Sequence, residues 1–226
     1  LSLALDNAGE AANVTLVARG FFITFEGGEG GGKSTQIRRL ADRLAATGRE
    51  VVTTREPGGS PGAEAIRALL VSGEVDRWSP ITETLLVNAA RRDHIERVIA
   101  PALARGAMVL CDRFTDSTRA YQGAGGGAPE TLISALEAAV LGTLKPDLTL
   151  ILDLPADMGL ARASGRGGGE TRFEAKPLDF HARLRAAFLA IAEAEPNRCV
   201  LIDASRDEGA VAAAIWSWVK SRIGPP

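Results

Sequence analysis

Gly27-Gly28-Glu29-Gly30-Gly31-Gly32-Lys33-Ser34 is the stretch on which the fold depends. It satisfies G-x-x-x-x-G-K-[ST], and it stands between an apolar run at 21–26 and an amphipathic run at 33–46, so a strand leads in and a helix leads out. Glycines in such a turn let successive backbone N–H groups face inward around phosphate oxygens without a Cβ clash. The following helix adds the positive end of its dipole. In this setting Lys33 is placed to reach β and γ phosphates, the Ser34 hydroxyl to ligate a Mg²⁺ bridging them, and Thr35 to help from the next helical position.

Outward from this turn, short β-branched or aromatic runs alternate with segments of helical period, which predicts repeated βα units around a parallel sheet. Five strands are expected, at 21–26, 50–54, 107–111, 148–152 and 198–202, each apolar enough to be covered on both faces. Helices are expected at 33–46, 63–71, 82–104, 129–141, 178–194 and 208–222, with Gly48, Gly106 and Gly142 as C-terminal stops. The fold class is therefore α/β: a P-loop NTPase fold with a five-stranded parallel sheet and helices on both faces.

At 226 residues, 46% hydrophobic and 24% charged, the chain has the composition of a globular protein, and one domain over 20–226 is expected after a disordered tail at 1–19. That tail carries Asp6 and Glu10 and has no basic start, unlike a secretory signal. The net charge of -2 supplies no general basic field for nucleic acid or an anionic membrane, so neither is expected as a partner. Cys111 and Cys199 stand alone in apolar runs, a pattern that fits a reducing cytoplasm better than a disulfide framework or a metal site. Two glycine-rich stretches remain. Residues 123–127 suggest a solvated linker or mobile loop, and 165–169, flanked by Arg162, Arg166 and Arg172, suggest a lid over about 162–175 that closes on a ligand.

The other strand ends narrow the chemistry. The third strand runs into Asp112-Arg113-Phe114, setting a carboxylate for Mg²⁺ and a guanidinium at the carboxyl edge of the sheet. The second runs into Arg55-Glu56-Pro57-Gly58-Gly59, a second guanidinium before a rigid turn. Arg91, Arg119, Tyr121 and Gln122 add cationic, aromatic and amide groups suited to a sugar and a base. The third strand does not run into the D-x-x-G turn of a guanine-nucleotide switch and no N-K-x-D comes later, and the converging arginines suit a second anionic substrate. A nucleotide kinase is favoured; a regulatory P-loop NTPase is the rival.

The set Phe25-Glu26-Gly27, Glu29 to Ser34, Arg55 to Gly59, Asp112-Arg113-Phe114 and Ser117-Thr118-Arg119-Ala120-Tyr121-Gln122-Gly123 resembles bacterial thymidylate kinase, and the likeness extends over nearly everything after Arg19. The resemblance implies transfer of the γ-phosphoryl of ATP to dTMP with Mg²⁺, giving dTDP and ADP in dTTP biosynthesis, by a cytoplasmic homodimer whose helix at 82–104 forms the contact. It implies that Gly27 to Thr35 and Arg162 hold ATP, and that Ser34 and Asp112 hold the metal. Arg55 and Arg113 would grip the acceptor phosphate, with Glu56, Pro57 and Ser117 beside them. Arg91, Thr118 and Gln122 would read the thymine edge, and Tyr121 would pack where a 2′-hydroxyl would lie. Glu29 would contact the 3′-hydroxyl or support the metal. The catalytic set is then Lys33, Glu29, Arg113 and, since the turn has no arginine, Arg166 of the lid, with Arg162 or Arg172 as substitutes. Val87 departs from the family, which commonly has a thymine-stacking ring there, so a neighbour such as Phe114 would have to compensate. A kinase for another nucleoside monophosphate stays open as the nearest alternative.

Overall fold

Strand β1 (Phe22–Glu26) is buried at every position, which places it at the centre of a sheet covered on both sides. The structure is a computed structural model and describes residues 19–164 and 172–224. The sheet continues with β2 (Val51–Arg55), β3 (Met108–Asp112), β4 (Leu148–Asp153) and β5 (Cys199–Asp203), in the spatial order β2-β3-β1-β4-β5. All pairings are parallel, and each strand lies within one residue of its expected span. Because β1 is flanked by β3 on one side and β4 on the other, the chain leaves it at a switch point of the topology, where ligands of open α/β sheets bind.

The helices are α1 (Lys33–Ala45), α2 (Pro61–Val71), α3 (Pro80–His94), α4 (Ala100–Ala104), α5 (Thr115–Thr118), α6 (Glu130–Leu141), α7 (Ala156–Ser164), α8 (Leu178–Ala194) and α9 (Glu208–Arg222). Alternation along β1 assigns its two faces. Ile23 and Phe25 pack with Leu110 and Leu150 onto Ile37, Leu40 and Leu44 of α1 and onto Val211, Ile215 and Val219 of α9. Phe22, with Val109 and Cys111, faces the other way onto Ile95, Ile99 and Leu103. Further along that face Ile151 meets Phe180, Leu184 and Phe188 of α8.

Three expectations are corrected and one helix is added. The edge strands β2 and β5 are only partly covered, since nothing pairs beyond them, so burial on both faces is confined to β1, β3 and β4. The helix expected at 82–104 begins earlier, at Pro80 behind the Ser79 cap, and is interrupted by a widened π-type turn at Ile95–Ile99. Pro101 has no N–H to return to the carbonyl four residues back, and the backbone widens just before it. The glycine run at 123–127 is helical through Gly125, completing a π-type segment, Arg119–Gly125, that continues α5. A Cβ at Gly125 would lie 2.6 Å from the Phe180 ring, so packing against α8 fixes this backbone. Helix α7 had no counterpart in the sequence reading.

Candidate active site

The phosphate turn is shaped from below by α7. Gly30 has φ 69° and a Cβ there would stand 2.1 Å from the Gly159 carbonyl oxygen, while a Cβ at Gly159 would stand 2.5 Å from that of Glu29. Two glycines thus let a helix backbone lie directly against the turn. Helix α1 starts at Lys33 with no side-chain cap and no acidic residue in its first turn, leaving its N-terminal amides to an anion. Lys33 folds back over the turn, its Nζ donating to the carbonyls of Gly28 (2.8 Å) and Gly27 (3.3 Å). Burial and then the Arg113 charge lower its ammonium to about 8, against the pull of Asp112 and Glu29. Thr35 is half-buried in the same first turn. Ser34 Oγ donates to Asp112 Oδ2 at 3.1 Å, which joins the end of β3 to the start of α1. A hydroxyl and a carboxylate converging beside a phosphate cradle are hard oxygen donors, and they fit Mg²⁺ completed by phosphate oxygens and water. Among the described residues no cluster of three or more His, Cys, Asp or Glu could hold a metal by itself.

Across the turn sits a second group of charges. Arg113 has φ 68°, a left-handed backbone that turns its side chain back over the sheet edge. Its Nη1 donates to the Gly27 carbonyl (2.9 Å) and to Ser117 Oγ (3.3 Å), its Nη2 to Glu29 Oε1 (3.0 Å), and its guanidinium lies 4.8 Å from the Tyr121 ring centroid. Tyr121 Oη donates to the same Glu29 oxygen at 2.7 Å. Burial would raise the Glu29 carboxyl, but Arg113, Lys33 and the Tyr121 hydroxyl together pull it down to about 2. Under this group lies Glu26, which sequence reasoning missed as a functional residue. It accepts from the backbone N–H groups of Phe114 (2.8 Å) and Ser117 (3.3 Å) and from Ser117 Oγ (2.6 Å), so it holds the Asp112-Arg113-Phe114 turn in place. Burial, then the nearby Asp116, raise its carboxyl to about 7 against the Ser117 hydrogen bond.

From Glu29, Asp112 and Arg113 a cavity of about 610 Å³ runs away from the turn. All ten residues expected to hold the acceptor line it: Arg55, Glu56, Pro57, Val87, Arg91, Arg113, Ser117, Thr118, Tyr121 and Gln122. Their states differ. Arg55 is exposed and paired with Glu64 of α2 at 3.1 Å. Glu56 has both oxygens engaged, by Arg91 Nε (2.7 Å) and His94 Nδ1 (3.0 Å), so it orders the wall of the cavity. Gln122 Nε2 donates to Glu83 Oε1 at 2.9 Å. Phe114 is fully buried, edge-on to Phe22 at 5.0 Å, and Phe173 stands edge-on to Tyr121 at 5.6 Å. Residues not foreseen include Arg67, Leu70 and Val71 of α2, Ala163 of α7, and Phe173 and Glu174. Nothing in their local sequence marks them, apart from the Arg172-Phe173-Glu174 run assigned to the lid.

The remaining arginines separate. Arg162, at the end of α7, donates to the Ala204 carbonyl at 2.9 Å, on the side of the turn away from Arg91. Arg166 lies outside the described residues. Arg172 is buried and donates to Glu83 Oε2 (2.6 Å) and to the carbonyls of Leu70 in α2 and of Glu74 and Val75 beyond it (3.0 Å each), so it clamps the segment that starts at 172 to α2, α3 and the connection between them. Arg119, expected among the sugar and base contacts, instead pairs with Glu137 and Glu195 at 2.7 Å and does not line the cavity.

Comparison with known proteins adds independent findings. The family model described as "Thymidylate kinase" matches residues 25–215. A thymidylate kinase of Caulobacter vibrioides is 69% identical over 208 residues, which cover 92% of this chain and 100% of that protein. One of Bradyrhizobium diazoefficiens is 56% identical over 209 residues, 92% of each chain. The crystal structure of thymidylate kinase from Ehrlichia chaffeensis superposes with a TM-score of 0.73 at 35% identity, covering 89% of this chain and 99% of that one.

Proposed function

The chain belongs to the thymidylate kinase family, and from that premise we propose how its residues divide the transfer of a phosphoryl group from ATP to dTMP. It is a dTMP kinase. The observation that carries the division of labour is the single cavity that starts at the rim of the phosphate turn and ends among Arg91, Val87 and Gln122, because a kinase needs a second nucleotide pocket in line with the first and a switch does not. The turn amides and Lys33 hold the β and γ phosphates of ATP. Arg113 and Arg55 hold the 5′-phosphate of dTMP, one oxygen of which attacks the γ-phosphorus as its bond to the β,γ-bridging oxygen breaks and ADP leaves. Ser34 and Asp112 would hold Mg²⁺, which when bound supplies positive charge to the phosphate oxygens.

Glu29, held ionised by its cationic neighbours, keeps Arg113 and the Tyr121 hydroxyl aligned along the sugar side of the cavity. Arg91, Thr118 and Gln122 face the base. Arg166, with Arg162 nearer the donor, is the lid arginine that meets the charge spread over the transferred group. Ile81 and Leu85 of α3, about half exposed, support a homodimer through that helix. The cytoplasm is the proposed site of action, on the free, buried state of Cys111 and Cys199. No helix among the described residues is long and apolar enough to cross a membrane. ADP release measured with dTMP, dUMP, dCMP, dGMP and dAMP tests the assignment: turnover should depend on dTMP above the others, and turnover indifferent to the acceptor would contradict it.

A further inference from the structure

Arg91 reaches the cavity wall from a buried network that the phosphoryl transfer does not itself require. The residue is 1% exposed. Its Nε donates to Glu56 Oε2 (2.7 Å), its Nη2 to the Phe114 carbonyl and Thr118 Oγ1 (3.0 Å each), and its Nη1 to Asn88 Oδ1 (3.4 Å). A guanidinium has five N–H groups, so one on Nη1 is left over. Behind it, the other Glu56 oxygen meets His94 Nδ1 at 3.0 Å, and His94 Nε2 meets Thr54 Oγ1 at 2.6 Å. A carboxylate can only accept, so Nδ1 donates to Glu56, while the Thr54 hydroxyl holds the far side of the ring at Nε2. His94 is 0% exposed and does not line the cavity, so it acts only through Glu56. The Arg55-Glu56-Pro57-Gly58-Gly59 turn closes directly over this pair: Gly59 has φ 87°, and a Cβ there would lie 2.4 Å from both His94 Nε2 and Thr54 Oγ1.

We infer that His94 is a positioning residue for base recognition: its Nδ1–H fixes the Glu56 carboxylate, which fixes Arg91 so that one guanidinium N–H is aimed at the acceptor base. The inference rests on the assignment of Arg91 to the base. Without the imidazole N–H one Glu56 oxygen is buried unpaired, and the carboxylate and the guanidinium that follows it gain rotational freedom.

Steady-state kinetics on the full-length enzyme test it with variants that separate the two imidazole nitrogens. His94→Asn sets an amide N–H near the place of Nδ1, His94→Gln sets one near Nε2, and His94→Leu has neither. The expected result is a rise of about tenfold in KM for dTMP in the Gln and Leu variants, with kcat and the KM for ATP within about twofold of the parent, and recovery to within about threefold in the Asn variant. Equal behaviour of Asn and Gln, an equal rise in the KM for ATP, or no change at all would overturn it. Thr54→Val, which leaves the imidazole in place, should raise the same KM by about twofold to threefold, and keeps the test decisive if the His94 variants fail to fold; no rise there also overturns it. Arg91→Lys separates the two claims. An unchanged KM for dTMP in that variant removes the premise and the inference with it, whereas a raised KM beside silent His94 and Thr54 variants overturns the inference alone.

Discussion

Replacing Arg172 by alanine should unfold the protein more readily without removing its chemistry. In the structure Arg172 and Glu83 form a buried pair at 2.6 Å, their side chains 2% and 11% exposed, and the same guanidinium serves the backbone carbonyls of Leu70, Glu74 and Val75. Arg172→Ala leaves Glu83 with only the Gln122 amide at 2.9 Å as a side-chain partner. Removing one member of a buried pair costs about 3–5 kcal/mol, because the other charge stays desolvated. Urea titration of parent and variant should show a loss of that size at neutral pH. Replacing both partners with methionine should return part of it, since no orphaned charge then remains. In buffer where the variant is still folded, kcat should stay within about tenfold of the parent, because the clamp shapes the floor of the lid and does not touch the transferred group. A variant as stable as the parent whose kcat has fallen about a thousandfold would refute the clamp and make Arg172 the lid arginine of catalysis.

Arg166→Ala should lower kcat by about a thousandfold and change dTMP binding little; a loss confined to KM would contradict its assignment to the transferred phosphoryl group. Val87→Phe should tighten dTMP binding in calorimetry by adding a ring face to the cavity, and unchanged or weaker binding would show that Phe114 or Phe173 already covers the base. Glu26 has a folded-state pKa raised to about 7 from 4.5, so its contribution to stability is full below about 4.5 and is lost as pH rises through 7. The stability difference between the parent and Glu26→Gln should therefore shrink from pH 5 to pH 8, and a constant or widening difference would contradict the raised value. The proposed homodimer contact on α3 predicts that the parent sediments as a dimer and that Leu85→Arg, on its exposed face, sediments as a monomer, with an equal mass for the two counting against that face.

The sheet was legible because its strands are continuous apolar runs and the turn after β1 has a pattern with one physical use. Helix α7 was not, since it is a single short run with Gly159 at its middle, where glycine weakens the helical signal, yet Gly159 is there so that the helix can touch the phosphate turn. Gly123 to Gly127 misled for the related reason that local glycine content says nothing of Phe180 and Leu184 packed over Gly125. The cavity's arginines were legible as types but not as states. Arg119 and Arg172 look like ligand-binding cations in sequence, and their partners Glu137, Glu195 and Glu83 are brought to them only by the fold. Glu26 stood in a run that carries the family resemblance but was given no role, and His94 carried no signal, because a positioning residue is defined by what it touches.

Following the label of [γ-³²P]ATP with dTMP in one reaction shows whether a second nucleotide is seated to receive phosphate from the first. The label should appear in the β-phosphoryl of dTDP in step with ADP. Label released as inorganic phosphate, at a rate that dTMP does not alter, would contradict it.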